Sequence, residues 1–175
     1  MKTLFLLSAC LLMAACTGRS SQASNDDEAK PVITVTLEPQ RYFTEAIAGD
    51  KFNIVSMVPE GSNPETYDPT PQQLVKLAKS KAYLTIGHIG FEQAWIKKLQ
   101  ANTPNLPFYD MSEGIDLIHE INGHTHGKED KHAHGVEPHI WNSTRNAAIL
   151  AENIYKVLCE LDPASESYFQ RKTDY

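Results

Sequence analysis

Thr70–Ile86 reads TPQQLVKLAKSKAYLTI and holds one full helix-to-strand step. Thr70 is placed to cap a helix, Pro71 suits the first helical position, and Gln73 completes a capping box. The pattern predicts a helix from Pro71 to about Lys81. Ala82–Ile86 follows at once as a short apolar run with β-type residues, the signature of a buried strand. Upstream, Lys51–Val58 (KFNIVSMV) reads as another strand, closed by Pro59. Before it, Gln40–Ala48 places Phe43, Ala46 and Ile47 on one helical face, and Gly49 stops the helix. Val32–Thr36 (VITVT) is β-branched throughout and reads as the first strand. Downstream, Phe91, Trp95 and Leu99 recur at spacings of four in a helix over Phe91–Ala101, and Leu106–Tyr109 is a fourth strand. Asn142 or Ser143 caps a last long helix whose apolar positions are Ala147, Leu150, Ala151, Ile154, Val157, Leu158 and Leu161. Pro163 ends it, and a further helical stretch begins near Ser165. Alternation of this kind predicts an α/β fold, a parallel sheet with helices on both faces. Ligands in such folds collect at the carboxyl ends of the strands, so the segments that follow strands carry the functional expectations.

The composition agrees with a globular chain: 175 residues, 41% hydrophobic and 22% charged. A net charge of −6 without a Lys/Arg cluster argues against nucleic acid as a partner. At the amino terminus, Lys2, the apolar run Leu4–Leu12 and Met13-Ala14-Ala15-Cys16 form a charged, an apolar and a small-residue region in turn. That run is too short for a permanent membrane span. The Ala-Ala-Cys ending resembles a bacterial lipobox, which makes residues 1–15 a lipoprotein signal peptide and Cys16 the lipidated residue. An ordinary secretory signal is the alternative. Residues 16–30 are Ser, Asn, Asp and Glu with nothing to bury and read as a flexible tether. Cys10 leaves with the signal, so Cys159 has no partner for a disulfide within the chain.

Six of the seven histidines lie between His119 and His139. His119, His124, His126, His132 and His134 fall in a glycine-bearing, acid-bearing stretch over residues 119–136. Neutral imidazole suits zinc, copper and nickel, so this stretch is expected to act as an auxiliary metal-capture loop. Its pliability argues against its being the tight site, which needs ligands fixed by their neighbours. An uncommitted polar loop is the plainer alternative.

Four features resemble the metal-binding lipoproteins of bacterial ABC importers for zinc and manganese, the ZnuA/TroA-like substrate-binding proteins. They are the lipobox, the run GSNPETYDPTP (residues 61–71), the run GHIGFEQAW (residues 87–95) and the run EPHIW (residues 137–141). The resemblance covers nearly all of the chain from Pro31. It implies a metal-ion receptor, zinc preferred and manganese the alternative, that does no covalent chemistry. It further implies a lipid-anchored monomer on the extracytoplasmic side of the membrane that delivers to an ABC transporter permease. His139 stands at a ligand position of the family. Glu65 stands where the first loop normally carries His, and Glu137 replaces an Asp. A carboxylate oxygen reaches zinc at about the same range as imidazole nitrogen, roughly 2.0–2.2 Å, so Glu65 can still ligate. Its alternative is an ordinary surface glutamate.

His88, just past the third strand, is inferred to replace the nitrogen lost at Glu65; a hydrogen-bonded structural histidine is the equal alternative. Tyr67, Asp68, Trp95 and Trp141 are expected to be structural. The resemblance makes residues 31–163 the amino-terminal lobe of a two-lobed receptor and residues 164–175 the start of the interdomain helix. The second lobe, which would supply further ligands, is absent from this sequence. A metal buffer working through the His-rich loop is a second reading. A zinc hydrolase is disfavoured, since neither a His-Glu-x-x-His helix nor an evident nucleophile–base pair occurs.

Overall fold

The computed structural model describes residues 30–118 and 136–173. The element order is β1 (Val32–Val35), α1 (Glu38–Ala48), β2 (Asn53–Ser56), α2 (Pro71–Leu77), β3 (Ala82–Thr85), α3 (Gly90–Asn102) and β4 (Phe108–Asp110), then a 3₁₀ turn (Ile140–Asn142), α4 (Thr144–Leu161), a second 3₁₀ turn (Pro163–Ser165) and α5 (Glu166–Thr173). The strands form one sheet in the order β2-β1-β3-β4, and every pairing is parallel. All four residues of β3 are buried. Successive strand side chains point to opposite faces, so both faces of the sheet centre are covered, as the α/β reading requires.

The helix ahead of β3 forms as its sequence dictates. The Thr70 hydroxyl accepts from Gln73 N, and the Gln73 side chain accepts from Thr70 N at 2.9 Å. The helix ends at Leu77, short of the expected Lys81. Residues beyond Leu77 are needed to turn back into the sheet: Ser80 Oγ meets Thr34 Oγ1 at 2.7 Å, and Lys81 N donates to Val32 O at 2.7 Å. Among the other elements, several boundaries differ by a single residue, and three elements differ by two residues or more. α1 begins at Glu38, because Pro39 is tolerated in a helix's first turn. β2 is regular only over Asn53–Ser56; Lys51 N instead closes the turn after α1 by donating to Ala48 O at 3.2 Å. β4 begins at Phe108, since Leu106 N is engaged in a turn to Thr103 O and Pro107 lacks an N–H.

β1 connects onward to β2 on one side and β3 connects to β4 on the other. The chain therefore reverses its lateral direction between β1 and β3, which opens a crevice at their carboxyl ends. The helical layers rest on Ile33, Val35, Leu84 and Ile86 of the sheet region and on Leu150, Ile154 and Leu158 of α4, all 2% exposed or less. Ser143 caps α4, and its hydroxyl accepts from Asn146 N. α5 docks against α1 and α4, with Phe169 fully buried.

Candidate metal centre

The loop after β2 carries Glu65. Ser62 N donates to Pro59 O at 3.1 Å and Thr66 N to Asn63 O at 3.2 Å, two tight turns built from Pro59, Gly61 and Asn63. The Asn63 side chain accepts from Glu65 N at 3.0 Å. The loop then leans on the first turn of α3. Phe91 N donates to Pro64 O at 2.8 Å, and Gly90 N donates to Glu65 Oε2 at 3.1 Å. Glycine suits this approach, because a Cβ at residue 90 would stand 2.3 Å from Glu65 Oε2 and 3.0 Å from Glu65 Cα, and the Glu65 side chain would have to shift. Further along, Tyr67 donates its hydroxyl to Gln73 Oε1 at 2.8 Å, and the Trp95 indole donates to Asp68 Oδ1 at 3.0 Å. The loop is thus tied to α2 and α3, and Glu65 Oε1 remains without a hydrogen bond to any described residue.

His88 lies in the turn between β3 and α3, two residues before the glycine that meets Glu65. The turn starts at Gly87, whose φ of +101° favours glycine, and a Cβ there would come within 2.8 Å of Ser112 Oγ. The backbone carbonyl of His88 accepts from Gln93 Nε2 at 3.3 Å. The structure therefore places the Glu65 loop and the His88 turn side by side at the carboxyl rim of the sheet.

His139 is held differently. The carboxylate of Glu137 accepts from His139 N at 3.0 Å, and its Oε1 also bonds the imidazole Nδ1. Trp141 packs edge-on to the imidazole with centroids 5.3 Å apart. The two bonds from His139 hold the Glu137 carboxyl below the usual carboxylate range, despite both side chains being half-exposed. With Nδ1 bonded to Glu137, Nε2 has no hydrogen bond to any described residue, and a carboxylate bonded in this way fixes the tautomer and ring orientation of an imidazole that ligates through its other nitrogen. Beside His139 is a cleft of about 280 Å³ lined by Asp116, Ile118, Glu137, Asn142 and Asn146. Glu137 N donates to Ile118 O at 2.9 Å, which brings together the described flanks of the His-rich stretch.

Among the described residues, no group of three or more His, Cys, Asp or Glu side chains is gathered so as to hold a metal ion. The structure brings the Glu65 loop and the His88 turn together and does not join them with His139 into one such group. His119, His124, His126, His132 and His134, and likewise Cys16, lie outside the described residues. A larger cleft of about 470 Å³ runs along β2 between Arg41 and Lys76 and contains none of these candidates.

One residue without an assigned role in the sequence reading stands out in the crevice. Glu92, at 3% exposure, accepts from Ile86 N at 2.8 Å, from Gly87 N at 2.7 Å and from the Thr36 hydroxyl. Burial pushes its carboxyl above the ordinary range; the three hydrogen bonds oppose the shift and nearby Asp110 adds to it. Thr36 also meets Tyr83 Oη at 3.0 Å, and Gln40 joins Thr36 N to the carbonyls of Leu84 and Thr85. The signal was present: Glu92 shares a helical face with Leu99, amid the apolar pattern of α3.

A parallel sheet whose strand order reverses between β1 and β3, with carboxylate and imidazole groups in the loops that follow β2 and β3, defines a lobe of the doubly wound class. The chain belongs to the family described as zinc-uptake complex component A, periplasmic, whose model matches residues 33–175. It is 34% identical over 172 residues to the manganese ABC transporter substrate-binding lipoprotein scaA of Streptococcus gordonii, covering 95% of this chain and 53% of that protein. To the iron ABC transporter substrate-binding lipoprotein MtsA of Streptococcus pyogenes serotype M1 it is 32% identical over 166 residues, covering 91% and 50%. A zinc-bound deletion mutant of ZnuA superposes with a TM-score of 0.72 at 36% identity, covering 83% of this chain and 52% of that one. The chain spans about half the length of the relatives it matches.

Proposed function

We propose that this chain is a metal-binding lobe of the substrate-binding component of an ABC-type metal importer, with zinc as the preferred ion and manganese its competitor. Glu65, His88 and His139 are the proposed ligands, and the ion is cargo that is bound and released without covalent chemistry. The observation that carries this reading is the Glu137–His139 pair, which engages Nδ1 and leaves Nε2 without a hydrogen bond to any described residue, at a residue that lines an open cleft. Two imidazoles and one carboxylate favour zinc over hard, oxygen-seeking ions; the carboxylate keeps manganese in contention. The relatives whose names include manganese and iron support the transport role and leave the choice of ion to experiment. The proposal extends to residues 1–15 as a lipoprotein signal, Cys16 as the anchor, residues 119–136 as an auxiliary capture loop and a membrane permease as the receiver.

The test is calorimetric titration of the full chain with Zn²⁺ and with Mn²⁺. Wild type should bind Zn²⁺ more tightly, and Glu65→Ala, His88→Ala and His139→Ala should each weaken it. Unchanged affinity in all three variants would overturn the ligand set. Tighter Mn²⁺ binding would reverse the choice of ion.

A further inference from the structure

Glu92 occupies the third helical position of α3. A glutamate there commonly turns back to cap its own helix. This one reaches past the start of the helix instead. Its Oε1 accepts from Ile86 N at 2.8 Å and from the Thr36 hydroxyl, while its Oε2 accepts from Gly87 N at 2.7 Å. An ionised carboxylate only accepts, and here donors from the ends of β1 and β3 converge on it. The group thereby fixes the β3–α3 turn from inside the crevice. From the other side, Gly87 is packed against Ser112.

The far end of the same turn is where the Glu65 loop rests. Gly90 N donates to Glu65 Oε2 at 3.1 Å, and Phe91 N donates to Pro64 O at 2.8 Å. The path from Glu92 to Glu65 thus runs through one short, doubly braced piece of backbone. With Oε2 engaged by Gly90, Oε1 is the oxygen free to meet an ion. We propose that Glu92 is a positioning residue: it sets where Glu65 presents its carboxylate, so that metal affinity at Glu65 depends on a buried group that never touches the ion. This rests on the reading of Glu65 as a ligand.

Glu92→Gln keeps the shape and replaces one acceptor by an NH₂ that faces backbone N–H donors. Gly90→Ala leaves the Glu92 bonds untouched and puts a Cβ into the Glu65 perch. The full chain is titrated with Zn²⁺ as wild type, Glu92→Gln, Gly90→Ala, Glu65→Ala and the Glu92→Gln/Glu65→Ala double variant, with thermal unfolding run on each. Glu92→Gln and Gly90→Ala should each lose roughly 10-fold in affinity, the scale of an outer partner's loss. The double variant should bind as Glu65→Ala does, since a positioning residue has nothing left to position. A purely structural role would instead give additive losses, and that overturns the proposal. Wild-type affinity in a folded Glu92→Gln, with Glu65→Ala impaired, overturns it while sparing the ligand reading. Should Glu92→Gln not fold, wild-type affinity in Gly90→Ala overturns it. Undiminished binding in Glu65→Ala sinks the ligand reading and this inference with it.

Discussion

Two of the arms that carry candidate ligands, those of Glu65 and His139, are fastened in opposite ways. The Glu65 arm is held across the fold: Pro64 and Glu65 by α3, Tyr67 by Gln73 of α2, Asp68 by Trp95 of α3. The His139 side chain is held by its own neighbours, Glu137 and Trp141, each two residues away, while buried Ile140 anchors the segment. Its outward tie in the backbone is Glu137 N to Ile118 O. An arm fastened across the fold transmits changes made far from it. An arm fastened locally answers to its neighbours. The first arrangement makes the presentation of the carboxylate depend on distant contacts; the second sets the orientation of the imidazole by residues two positions away, on a segment that Ile140 anchors in the core.

The largest expected effect breaks the local arm outright. His139→Ala should weaken Zn²⁺ binding by more than the roughly 10–100-fold that loss of an outer partner costs, because a ligand itself is removed. Thermal unfolding should hardly move, since the side chain is half-exposed. Calorimetry showing wild-type affinity would remove His139 from the site. Next, Glu137→Ala tests whether local fastening matters. With Nδ1 and the backbone N–H released, affinity should fall about 10–100-fold while the fold is kept. The same substitution should leave the Glu65 arm unchanged, read as an undiminished effect of Glu65→Ala in that background. A smaller effect sharpens the contrast from the other side. Trp95→Phe keeps the ring packing and deletes the bond to Asp68. A few-fold loss of Zn²⁺ affinity is expected, and none if the arm is secured by Pro64 and Glu65 alone.

Much of the fold could be read from the chain because its local signals agree with its tertiary needs. Thr70, Pro71 and Gln73 state a helix start that the structure repeats bond for bond, and α4 buries Leu150, Ile154, Val157 and Leu158 from its periodic pattern. The end of α2 was illegible, since no glycine marks it and the return into β3 is set by Ser80 and Lys81 contacting β1. In the candidate site, the strand-end rule located the Glu65 and His88 segments, and the motif around Pro138 located His139. What the chain could not declare is how each is fastened. Glu137 reads as a departure from a family pattern until its bonds to His139 are seen. Glu92 lies on the apolar face of α3 with Leu99, but its partners Thr36, Ile86 and Gly87 are brought to it from two strands and cannot be read from its own segment.

The carboxylates that fasten the two arms also differ in sign. Glu137 is held below the usual range by its bonds to His139, whereas burial holds Glu92 above it. A folded carboxyl with a raised value keeps its proton to higher pH than the unfolded chain does. The native state then binds more protons, and stability falls as pH rises through the interval above the ordinary glutamate value of about 4.3. Below that value both states are protonated and Glu92 has no effect on the pH dependence; above the raised value its cost is constant. Glu92→Gln cannot titrate and lacks this slope. The smallest effect expected here is therefore a pH-dependent gap between wild type and Glu92→Gln, measured as the difference in Tm from pH 4 to pH 7. Wild type should lose ground against the variant as pH increases. A gap that widens in the opposite sense would mean that the Ile86, Gly87 and Thr36 donors outweigh burial, and Glu92 would then resemble Glu137 in its electrostatics as well as in its role.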